Sequence, residues 1–61
     1  MITFEQHRLL STGQTLAEVE IALGPPDLRA GKTLVYQRDD GMVDYLEFHQ
    51  DRLLNIRDAR P

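Results

Sequence analysis

Cysteine is missing altogether from the 61 residues, which removes disulfide staples, thiolate nucleophiles and Cys-based zinc sites. No run approaches the roughly 18 consecutive apolar residues of a membrane-spanning helix. The opening Met1-Ile-Thr-Phe-Glu-Gln-His7 has neither the basic nor the apolar region of an export signal. Positive charge is sparse and scattered: seven Lys and Arg, of which Lys32 is the only lysine, stand against ten Asp and Glu, for a net charge of −3. Neutralising phosphates needs clustered cations, so a nucleic-acid partner is not expected. These absences lead us to expect a cytoplasmic chain without direct membrane insertion, or a periplasmic or outer-membrane-associated one if the segment belongs to a longer lipoprotein.

What is present reads as a folded domain. An apolar content of 41% with interspersed charges suits a globular core rather than a disordered tail. A single domain of this length is stable by only a few kcal/mol. Without staples, self-association or docking onto another protein becomes an expected source of support.

Two capping boxes punctuate the first half. Thr3 and Gln6 have the spacing at which a hydroxyl accepts from an N3 amide and the N3 side chain reaches back, predicting a helix over residues 4–11 with Phe4, Leu9 and Leu10 as its apolar side. Thr15 and Glu18 repeat the spacing. The predicted second helix runs over residues 16–23, with Leu16, Val19, Ala22 and Leu23 on one stripe, and Gly24-Pro25-Pro26 ends it firmly.

From Asp27 the period falls to 2. Leu28 to Ala30 reads as a short strand, Gly31-Lys32 as a turn and Thr33 to Arg38 as a strand rich in β-formers. Asp39-Asp40-Gly41 is a three-residue hairpin loop with glycine last, where the backbone turns left-handed. It pairs Arg38 with Met42, Tyr36 with Asp44 and Leu34 with Leu46, and brings Lys32 near Phe48. One face then carries Leu34, Tyr36, Met42, Leu46 and Phe48 to receive the helices. Shifting the pairing by one would set Leu34 opposite Glu47 and mix charge into that face. The opposite face carries Val35, Val43 and Tyr45. A tight Gln50-Asp51 turn into a last strand, Arg52 to Arg57, adds Leu54 and Ile56, whereas a bulge near Arg52 returns Ile56 to the helix-covered side. Exposed apolar stripes of this kind mark interfaces, so Val35, Val43, Tyr45, Leu54 and Ile56 are the candidate protein-binding residues.

Chemistry is harder to find. His7 and His49 have no second His or Cys at ligand spacing, and Asp39, Asp40 and Asp44 read as turn and strand residues rather than a cation site, so no metal, cofactor or catalytic group is expected. Ser11 and Thr12 lack an activating base and suit an interhelical connection. Tyr36 reads as core with its hydroxyl at the rim. Arg38, Arg52 and Arg57 read as solvated charges, or as the rim of an interface. An enzyme or small-ligand site built around His49, Asp44 and Arg57 would need a cleft of roughly 300 Å³ or more, rare in so small a domain.

The series Gly13-x-Thr15-x-x-Glu18-Val19-x-x-x-Leu23-Gly24-x-Pro26, then Tyr36, then Leu46-x-Phe48-x-x-Asp51-x-Leu53, resembles the BamE (SmpA/OmlA) domain of outer-membrane β-barrel assembly. It is also similar to the repeat unit of the β-lactamase inhibitor proteins. The resemblance spans about residues 4–57 and is most specific in its helix segment. It implies an α+β two-layer sandwich, two short N-terminal helices on a three-stranded antiparallel meander, acting as a non-catalytic protein-binding scaffold. Asp51 stands where many members have glycine, and Val35 where an aromatic often precedes the tyrosine. The lipid-modified cysteine of the lipoprotein members has no counterpart here. The expected function is a protein-protein interaction module, with a homodimer formed through the outer sheet face or by element exchange at Ser11-Thr12-Gly13. An inhibitor that blocks an enzyme is the alternative.

Overall fold

Both capping boxes close. In the computed structural model, which describes all residues 1–61, the Thr3 hydroxyl accepts from the Gln6 amide at 3.0 Å and the Gln6 side chain accepts from the Thr3 amide at 2.9 Å. Thr15 and Glu18 make the same pair of bonds, each at 3.1 Å. They open helices α1 (Phe4–His7) and α2 (Leu16–Leu23).

α1 is shorter than the residue pattern predicts. After His7 the chain tightens into i→i+3 bonds, Leu9 N–H to the Gln6 carbonyl and Leu10 N–H to the His7 carbonyl. The Gln14 amide then folds back to bond the Leu9 carbonyl and the Ser11 N–H, closing the connection before a third helical turn forms. Of the predicted apolar side only Leu10 packs on the core; Phe4 and Leu9 are exposed.

Four strands follow, β1 (Leu28–Ala30), β2 (Thr33–Gln37), β3 (Val43–His49) and β4 (Arg52–Ala59), in the antiparallel order β1-β2-β3-β4. The sheet is therefore four-stranded, which corrects the three-stranded meander implied by the resemblance. The extra member is β1: Gly31, at φ 61°, allows a two-residue connection that sets Ala30 opposite Thr33 and Leu28 opposite Val35. The β2–β3 register is the expected one, with Tyr36 opposite Asp44, Leu34 opposite Leu46, and the Phe48 N–H on the Lys32 carbonyl.

β4 carries the irregularity. Gln50 and Asp51 form a two-residue turn with both residues left-handed, at φ 50° and 65°, so His49 pairs with Arg52 and Phe48 with Leu53. Left-handed conformations cost residues bearing a Cβ roughly 1–2 kcal/mol each. Beyond Leu53 the register slips: Glu47 pairs with Asn55, leaving Leu54 as the unpaired residue of a β-bulge. The bulge restores Ile56 to the face of Leu46, where it packs on the core. Ile56 is thus removed from the outer-face set.

The core is Ile2, Val19, Leu23, Leu34, Tyr36, Leu46, Phe48 and Leu53. Ile2 enters it as an extra bridge parallel to β2, its N–H on the Gln37 carbonyl and its carbonyl accepting from Asp39 N–H, both at 2.8 Å. The Tyr36 hydroxyl donates to the Gly24 carbonyl at 2.7 Å, tying the sheet to the end of α2.

Candidate functional site

Three features compete for a functional reading: the uncovered sheet face, a buried charge cluster beneath α1, and a cleft at the turn end of the sheet.

Helices cover one side of the sheet only. On the other, the register lines up Leu28, Val35, Tyr45 and Arg57 in one row across all four strands. Leu28 is 58% exposed, Val35 and Tyr45 are half-buried, and the Arg57 guanidinium carbon lies 4.8 Å from the Tyr45 ring centroid as a cation–π pair. The neighbouring row, Thr33, Glu47 and Asn55, is polar and closed by an Asn55–Glu47 bond of 2.9 Å. Of the candidate interface residues, Val35 and Tyr45 are direct neighbours. Val43 pairs with Gln37 and Ala59 and is buried, while Leu54 projects at the bulge with 65% exposure. Leu28 was not anticipated on this face; its alternation with Arg29 in a three-residue strand was the available signal.

The second feature joins Arg38, expected as a solvated charge or interface rim, to Asp40 and Asp44, expected as turn and strand residues, and to His7. Asp44 is fully buried on the helix-covered face beside Tyr36, and Arg38 is almost as deep. Arg38 Nη1 donates to Asp44 at 3.0 Å and to Asp58 at 3.2 Å, while Nε and Nη2 grip Asp40 at 3.1 and 2.6 Å. His7 Nδ1 lies 2.7 Å from the other Asp44 oxygen. A carboxylate accepts only, so this contact places the proton on Nδ1, in preference to the longer 3.3 Å approach of Arg38 Nη1, for which Nδ1 would have to accept. The His7 ring stacks on Phe4, and Phe4 lies under the Arg38 guanidinium at 5.4 Å. The hydrogen bonds to Asp40 drive the Arg38 pKa upward against the opposing effect of burial. The Asp40 carboxyl is held below its ordinary value, first by Arg38 and then by the Met42 amide.

His7, Asp44 and Asp58 bring ligand-type atoms within 4.8 Å of one another. One nitrogen of Arg38 already bonds both carboxylates, so the arrangement works as a charge-neutralising network rather than an open ligand set. No buried side-chain nitrogen or oxygen lacks a partner. The trio His49, Asp44 and Arg57 is not brought together: His49 is exposed at the end of β3, Asp44 is buried under α1 and Arg57 lies on the outer face.

The third feature is a cleft of about 440 Å³, roomier than expected for this chain length. Leu16, Leu34 and Phe48 line it with Arg29, Gly31 and Lys32 from β1 and its turn and Gln50 and Asp51 from the β3–β4 turn. Arg29 is paired with Glu20 at 2.6 Å.

Comparison with known proteins returned no matching family model, curated protein or solved structure. No helix is long and apolar enough to cross a membrane.

Proposed function

We propose that the chain is a non-catalytic protein-binding module that self-associates through the open face of its sheet. The observation that carries this reading is the Leu28-Val35-Tyr45-Arg57 row, an apolar stripe ending in an arginine placed over a tyrosine ring, with no second layer of the chain over it. Aromatic and arginine anchors of this kind are enriched where interfaces concentrate their binding energy. The resemblance of the Gly13–Pro26 segment to BamE-type domains favours a scaffold role in the same direction, although the fourth strand departs from that architecture.

The test is solution mass by light scattering over a concentration series, on the wild type and on Tyr45→Glu. The expected result is a dimer that Tyr45→Glu converts to monomer, because the aromatic anchor is lost and the desolvation of a carboxylate in the interface is offset only in part by Arg57 opposite it. A wild type that stays monomeric throughout the series overturns self-association.

A further inference from the structure

The cleft between the two turn tips has a chemistry that the outer sheet face lacks. Its apolar lining, Leu16, Leu34 and Phe48, is the open end of the core. Lys32 lines the cleft from the β1–β2 turn and Asp51 from the β3–β4 turn, and neither makes an ion pair or a side-chain hydrogen bond with any other residue. Arg29 adds positive charge on the Lys32 side, partly offset by its bond to Glu20. A cation, an apolar recess and an anion therefore lie around one opening, and both charges are free to meet a ligand.

The turn at the cleft is also held in an unfavourable conformation. Gln50 and Asp51 occupy successive left-handed positions at which glycine would be unstrained, and both line the opening. Strain of this kind persists where the surroundings enforce it and clusters at ligand clamps. Here it places a carboxylate where glycine would leave bare backbone.

The geometry points to a peptide chain terminus as the occupant: an apolar C-terminal residue seated on Leu16, Leu34 and Phe48, its free carboxylate on the Lys32 ammonium, and its backbone N–H donating to the Asp51 carboxylate. A terminal residue is the part of a peptide that presents an anion, a donor and an apolar side chain from one carbon, which matches the three groups of the cleft. This site lies apart from the Leu28-Val35-Tyr45-Arg57 row and does not depend on self-association.

The probes are N-acetyl-Ala-Ala-Phe with a free carboxylate and the same peptide as its C-terminal amide, titrated into the isotope-labelled protein while backbone amide signals are followed by NMR. The acid is expected to bind with a dissociation constant on the order of 1 mM, as suits a short ligand in an open cleft, shifting signals of residues 31–34 and 48–51. The amide should bind about five-fold more weakly, through loss of the charged contact. Lys32→Gln should abolish that difference, and Asp51→Asn, which keeps a side chain tolerant of the left-handed turn, should weaken the acid form while leaving the spectrum folded. Equal binding of acid and amide by the wild type, shifts confined to the outer sheet face, or no shifts at ten-fold the expected constant would each overturn the assignment.

Discussion

Arg38 Nη1 lies 3.0 Å from the carboxylate of Asp44, and both side chains are withdrawn from water. In most small domains such a charge would be kept at the surface. Here Asp40, Asp58 and His7 complete the partners, so the pair is tolerable only as a set.

Removing one member should therefore be costly. Arg38→Met is expected to destabilise the fold by about 3 kcal/mol or more, since Asp44 would remain buried with His7 alone. Against a total stability of a few kcal/mol, that is enough to unfold the chain. Urea denaturation and the dispersion of the amide spectrum report it directly. Arg38→Met combined with Asp44→Leu should recover much of the loss, whereas an equally damaging double variant would show that the pair itself is not what the core depends on.

Tyr36 gives a prediction at high pH. Burial, with repulsion from Glu20 and Asp27 outweighing the attraction of Arg29, pushes its hydroxyl up to about 12. An unfolded tyrosine releases its proton near 10. Between these values the folded state binds more protons than the unfolded one, so stability is fully present below about pH 10 and falls as pH rises toward 12. Denaturation midpoints across that window should drop for the wild type. Tyr36→Phe should lose about 1 kcal/mol at neutral pH, from the missing bond to the Gly24 carbonyl, and show a shallower alkaline decline.

At the start of α2, Thr15→Ala should cost about 1 kcal/mol through loss of the cap. The Glu18 carboxyl is held below its ordinary value by the Thr15 amide and then by the Thr15 hydroxyl. Its contribution is present above about pH 4.3 and disappears on further acidification. A carboxyl-detected NMR titration should find the Glu18 midpoint moving back up in Thr15→Ala.

The β3–β4 turn predicts a gain. Asp51→Gly should raise stability by about 0.5–1 kcal/mol, because glycine accepts φ 65° without a Cβ clash. Unchanged or lower stability on denaturation would mean that the aspartate side chain compensates its own strain.

Much of this architecture is written locally. The two capping boxes need only the spacing of Thr3 with Gln6 and Thr15 with Glu18, and the hairpin register follows from Gly41, whose φ of 88° ends the loop. What could not be read is held together across the fold. Asp44 meets His7 from 37 residues away, and nothing near either residue announces it. Asp44 also interrupts an otherwise apolar face, and that break in pattern was the one available hint of a buried partner. The Leu54 bulge leaves no local mark either, because Leu53 and Leu54 are equally apolar and only the pairing with Phe48 and Glu47 decides which one is buried. The fourth strand was legible in Leu28 to Ala30, but the implied family architecture left it out.

The bulge also decides where the chain tolerates a change of length. Deleting Leu54 would leave Leu53 opposite Phe48 and Asn55 opposite Glu47, with strict alternation through the rest of β4. A deletion at Asn55 has the same effect on register, with Leu54 taking its place opposite Glu47, whereas a deletion at Ile56 would set Asn55 opposite Leu46 and put an amide on the core face. In a lineage of such sequences, gain or loss of one residue in this strand should therefore settle at position 54 or 55, between the Leu53 and Ile56 that face the core.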